Sequence, residues 1–97
     1  MATFRINKNS NYSIISNNFL NDERLSWKAK GILTWLLSRP EGWKIFLKDL
    51  QIRSTDGRDS TSSGIDELVE IGYIERTLIR EKGIYKGYDY NVYESPR

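Results

Sequence analysis

The chain contains no cysteine and no histidine, and only two prolines among its 97 residues. Without cysteine there can be no disulfide, no thiolate metal site and no cysteine nucleophile. The lack of histidine removes the commonest general base, the usual zinc ligand and the physiological-pH switch. An enzyme built on this chain would have to work with carboxylates, Lys, Tyr or Ser alone, so the reading is a non-enzyme with no cofactor. Apolar runs are only a few residues long, which leaves no candidate for a transmembrane helix. No charged-then-apolar leader pattern opens the sequence, and a cytoplasmic chain is expected.

What is present describes one globular domain over residues 1–97, with 38% hydrophobic and 29% charged residues. Net charge is only +2, but the charges fall in blocks. Residues 1–58 carry ten Lys/Arg against five Asp/Glu. Residues 59–75 carry five acids (Asp59, Asp66, Glu67, Glu70, Glu75) and no base. Residues 76–97 return to five bases against three acids. Such blocks can form a basic and an acidic face on folding, although solvation alone also produces them.

Residues 1–16 read as an extended arm. Phe4 and Ile6 alternate with polar neighbours, Asn7 to Asn11 is turn chemistry, and Tyr12 and Ile14 suggest a second short strand. Ser16 or Asn17 can cap a brief helix over 18–22. A strong helix signal follows at Ser26, an N-cap before Trp27, Ala29, Ile32, Leu33, Leu36 and Leu37, and it ends before Pro40 and Gly42. Trp27 fits the apolar side of that helix, whereas Trp35 falls off it and is a candidate for a protein contact. Trp43-Lys44-Ile45 alternates as a very short strand. A second, short helix spans Phe46 to Ile52, a turn covers Arg53 to Gly57, and a third helix spans Arg58 to Ile71 with Gly72 at its stop. Residues 26–72 thus form a helical core. Residues 73–94 change to β-formers and read as a hairpin turning at Glu81-Lys82-Gly83, with Lys86-Gly87 a second break to which the loop can extend.

The fold class expected is α+β. The order of helix, short strand, helix, turn, helix and hairpin is that of a winged helix-turn-helix domain. In that arrangement the last helix enters the major groove of double-stranded DNA by its N-terminal residues. Those residues are Arg58, Asp59, Ser60, Ser62 and Ser63, with Arg53 and Thr55 in the turn before them. Arg58 offers a fork of donors to guanine or phosphate, Asp59 can accept from cytosine, and the serines let the backbone approach. Ser and Asp are also common at any helix N-terminus. The run Ser60 to Gly64 carries a helix penalty of roughly 3 kcal/mol relative to Ala. Either a contact surface or tight packing at Thr61 and Gly64 would account for it. In the hairpin, Lys82, Tyr85 and Lys86 are candidates for backbone or minor-groove contact, against the alternative of a solvated hairpin whose lysines discourage edge pairing.

Several stretches resemble the N-terminal domain of replication initiators from Gram-positive plasmids and phages. They are Asn9 to Ser16, Leu25-Ser26-Trp27-Lys28-Ala29-Lys30-Gly31, Leu36-Leu37-Ser38, Gly57-Arg58-Asp59, Leu68, Gly72-Tyr73-Ile74 and Gly87-Tyr88-Asp89-Tyr90. The likeness covers about residues 4–94. It implies a winged-helix domain, often a homodimer, that recognises repeated origin sequences in duplex DNA while a separate C-terminal region engages replication proteins. Two places depart from that pattern: Phe46 stands where a capping Ser is usual, and Thr61 to Gly64 is smaller and more polar. A transcription regulator of the same fold and an assembly module without DNA contact are the alternatives.

Overall fold

The computed structural model describes residues 2–5, 11–42 and 47–97. Among these residues it is α+β, with four helices followed by an antiparallel hairpin: α1 (Asn17–Leu20), α2 (Trp27–Leu37), α3 (Leu47–Gln51), α4 (Gly57–Ile71), β1 (Ile74–Glu81) and β2 (Ile84–Val92). None of the described helices is long and apolar enough to cross a membrane. The expected strand at Trp43-Lys44-Ile45 and the start of the second helix at Phe46 lie outside the described residues, as does Lys8.

Local signals mark the starts of α1, α2 and α4 and the end of α4. Ser16 caps α1, its hydroxyl accepting from the Asn18 N–H at 3.3 Å. Ser26 caps α2 from an extended conformation, accepting from the Ala29 N–H at 3.1 Å. Gly57 opens α4 at φ +82, and Gly72 closes it in the left-handed region at φ +104. At that closure the Leu68 carbonyl accepts from the N–H groups of both Gly72 (3.1 Å) and Tyr73 (2.9 Å). This reversed turn sends the chain directly into β1.

The core is Phe19, Leu25, Ala29, Leu33, Leu50, Ile65, Leu68, Tyr73 and Ile74, drawn from all four helices, from the link between α1 and α2, and from the first residues after α4. Tyr73 meets Phe19 edge-on with ring centroids 6.4 Å apart. Its hydroxyl leaves the core and donates to Asp22 at 2.7 Å. The same carboxylate accepts from the Arg24 guanidinium at 2.8 and 3.0 Å and from the Arg24 backbone N–H at 3.0 Å. These bonds, Arg24 first and Tyr73 second, hold the Asp22 carboxyl well below the usual carboxylate range. The link between α1 and α2 is thereby tied to the base of the hairpin.

Ile74 is the one buried residue of β1, and β2 has none. Beyond its base the hairpin therefore stands away from the helices, about 26 Å long for eight residues at strand rise.

Three expectations need correction. Residues 2–5 and 11–16 belong to no strand, and Phe4, Tyr12 and Ile14 are exposed; the sheet has two strands, both in the hairpin. The hairpin turns at Lys82-Gly83, within the expected Glu81-Lys82-Gly83, but the second strand starts at Ile84 rather than Tyr88, so the break at Lys86-Gly87 falls inside β2. The tryptophans are interchanged. Trp27 is 86% exposed, and Trp35 is partly buried against the core beneath the guanidinium groups of Arg39 and Arg53. A helix turns about 200° in two residues, so Trp27 cannot share a face with Ala29, nor Trp35 with Leu33. Trp35 is covered by the core it packs against, by Arg39 four residues on, and by Arg53, which the segment after α3 brings across it.

Candidate functional site

The position of α4 is fixed by contacts from both sides. Gly64 is buried against α2, and a Cβ there would run into the far end of the Ile32 side chain, which would have to shift to make room. Thr61 is buried beside it, at 3% exposure. The weak helix formers at positions 61 and 64 thus serve close packing. Farther along, Glu67 caps a neighbouring helix from a distance. Its carboxylate accepts from the backbone N–H of Ser26 and from the Ser26 hydroxyl at 2.8 Å. On the other flank the Gln51 amide donates to the Ser62 hydroxyl at 3.2 Å.

These contacts decide which of the residues singled out in the sequence face outward. Arg53 and Thr55 are exposed in the turn between α3 and α4, with the Arg53 guanidinium carbon 5.8 Å from the Trp35 ring centre. Arg58 and Asp59 are exposed in the first turn of α4, Arg58 Nε lying 3.6 Å from an Asp59 oxygen. Such an exposed pair is weak and easily exchanged for another anion. The serines carry hydrogen bonds within the chain: Ser60 donates to Asp56 at 3.2 Å, Ser62 accepts from Gln51, and Ser63, itself exposed, accepts from the Lys28 ammonium at 3.2 Å. Arg53, Thr55, Arg58 and Asp59 therefore form one outward group at the start of α4.

Beyond that turn, the outward stripe of α4 is Asp59, Ser63, Asp66 and Glu70, all exposed and spaced i, i+4, i+7, i+11. Three of the four are acids. Arg76 of β1 approaches Asp66 at 3.3 Å and offsets one of them.

The hairpin carries the second outward group. Lys82 occupies the turn at φ +52 ahead of Gly83, and Lys86 and Tyr85 are exposed near the tip. Tyr85 is not in the loop; it lies in β2 opposite Arg80. Sequence reasoning missed its companions on the same face: Tyr88, 5.9 Å from Tyr85 between ring centres, Tyr90, 6.3 Å from Tyr88, and Arg76, 5.1 Å over the Tyr88 ring. The alternation of Tyr88 and Tyr90 signals a shared face for those two. Among the described residues no group of acids could hold a metal ion. No family model matches the chain, and no curated protein or solved structure is significantly similar to it.

Proposed function

We propose that this chain is a winged helix-turn-helix domain that binds double-stranded DNA. α3 and α4 form the helix-turn-helix and the β1–β2 hairpin is the wing. One observation carries the reading: two exposed basic groups project beyond the packed core, Arg53 and Arg58 at the start of α4 and Arg80, Lys82 and Lys86 on the hairpin. A helix N-terminus bearing arginine suits a groove edge, and lysines on an extended hairpin suit phosphates. The acidic stripe from Asp59 to Glu70 confines groove contact to the first turn of α4. The resemblance noted in the sequence makes the DNA a repeated origin site of a plasmid or phage, bound by a homodimer; a promoter is the nearest alternative target.

Selection of bound duplexes from a random pool tests the reading, with enrichment of a defined motif expected and an inverted repeat in it marking two-fold binding. Titration at several salt concentrations should give a log–log slope of roughly −3 to −5, for three to five phosphates neutralised per domain. A second reading rests on the acidic stripe itself: α4 as a docking face for a basic protein. A pool without enrichment and a flat salt plot would favour it.

A further inference from the structure

The register of the hairpin sorts its charges by face. Arg76 pairs with Tyr90, Leu78 with Tyr88, and Arg80 with Tyr85, so these six side chains share one face. Glu75, Thr77, Ile79 and Glu81 pair with Asn91, Asp89, Gly87 and Ile84 on the other. All three acids of the strands, Glu75, Glu81 and Asp89, lie on that second face. The first face carries arginine and tyrosine and no acid of its own; Asp66 reaches from α4 to Arg76 and sets one carboxylate against it.

A bulge produces this arrangement. Tyr85 and Tyr88 are three residues apart and would point to opposite sides of a regular strand. The register shifts between Ile79 and Arg80, where Lys86 has no partner, and this extra residue turns Tyr85 onto the side of Tyr88. Bulges commonly re-aim a side chain in this way. Tyr85 and Tyr88 are 58% and 43% exposed, and neither belongs to the residues packed against the core.

We propose that this face binds an unpaired DNA strand, its bases stacking on Tyr85 and Tyr88 and its phosphates meeting Arg80 and Lys86. Intact duplex offers groove edges and phosphates but hides the flat faces of its bases. A ladder of exposed rings beside cations matches those faces once a strand is open. The proposal deepens the DNA-binding reading and rests on it, assigning the wing a second form of the same polymer.

The test is fluorescence anisotropy of the full chain with labelled oligo-dT and, separately, with a labelled duplex of equal length. Tyr85→Ala and Tyr88→Ala should each weaken oligo-dT binding about 5- to 140-fold, from 1–3 kcal/mol per stacked base. Tyr85→Phe and Tyr88→Phe keep the ring and should stay within about twofold of wild type. Tyr85→Leu and Tyr88→Leu preserve apolar cross-strand packing and should lose binding as the Ala variants do, with the thermal midpoint confirming the fold. Alanine and leucine variants that bind oligo-dT as wild type does would overturn the proposal. So would Phe variants that lose as much as Ala. Duplex bound and oligo-dT ignored defeats this proposal alone; oligo-dT bound and duplex ignored defeats the duplex reading and leaves the stacking face standing.

Discussion

Glu67→Ala tests whether α4 is held in place by its carboxylate cap on α2. In the intact protein, both Glu67 oxygens accept from Ser26, one from its backbone N–H and one from its hydroxyl. The hydroxyl at the same time accepts from the Ala29 N–H, so the local cap survives the substitution. What is lost is the acceptor for a partly buried N–H, a loss worth about 1–3 kcal/mol. From the middle of that range, with alanine returning a few tenths through helix propensity, the net cost is about 1.5–2 kcal/mol. In a domain of this size, with a total stability of roughly 5–15 kcal/mol, that is a substantial share. It corresponds to a drop of about 6–16 °C in thermal midpoint. Urea unfolding followed by circular dichroism measures it directly, and Glu67→Gln, which keeps one carbonyl for the N–H, should cost about half as much. Ser26→Ala supplies the other corner of a double-mutant cycle, in which Ser26 and Glu67 should couple by at least about 0.5 kcal/mol. A Glu67→Ala protein within about 0.5 kcal/mol of wild type, or strictly additive single variants, would refute the reasoning.

The remaining predictions concern charge. If Arg58 reads a base, Arg58→Ala should cost about 1–3 kcal/mol on the selected site and relax preference at one position. Lys86→Ala should weaken binding to all duplexes alike and make the salt slope shallower by about one unit; equal effects of the two variants would remove the distinction between groove and backbone. Asp22 has a folded-state pKa below its unfolded value, so its contribution to stability is complete above about pH 4 and fades as pH falls through the folded value. Asp22→Asn should therefore lower the thermal midpoint at pH 7, with the gap to wild type closing as the solution is acidified below pH 4; a gap that stays constant would show that the carboxylate charge is not what stabilises.

The helices and the hairpin were legible because their signals are local. Ser26 precedes its apolar run, Gly72 sits where the backbone turns left-handed, and Tyr88 and Tyr90 alternate. The misreadings came from contacts between distant segments. Grouping Trp27 with Ala29 treated the apolar residues of α2 as one wide face, whereas burial against α4 selects Ala29 and Leu33. Trp35 is sheltered by Arg53, eighteen residues on, which no periodicity within α2 can reveal. Arg58 and Asp59 were readable as outward residues, but the engagement of Ser60, Ser62 and Ser63 depends on Asp56, Gln51 and Lys28. The tyrosine face was hidden by the bulge, since counting by twos places Tyr85 on the wrong side.

The hairpin is held over its lower part, by Ile74 in the core with Tyr90 and Val92 packed against it, by Arg76 reaching Asp66 of α4, by the Tyr93 N–H donating to the Tyr73 carbonyl at 2.8 Å, and by the Arg97 N–H donating to the Gly72 carbonyl at 2.9 Å. Mechanically it is a lever with its fulcrum at the end of α4. A rocking of about 5° there carries the tip through about 2 Å over a 26 Å arm, without breaking any rung of the ladder. Lys82 and Lys86 can thus follow a partner whose position varies, while Arg58, on a helix clamped along both flanks, must meet it in one place. Hydrogen exchange would register the difference as a gradient, with slow amides around Tyr73 and Tyr93 and progressively faster ones toward Gly83.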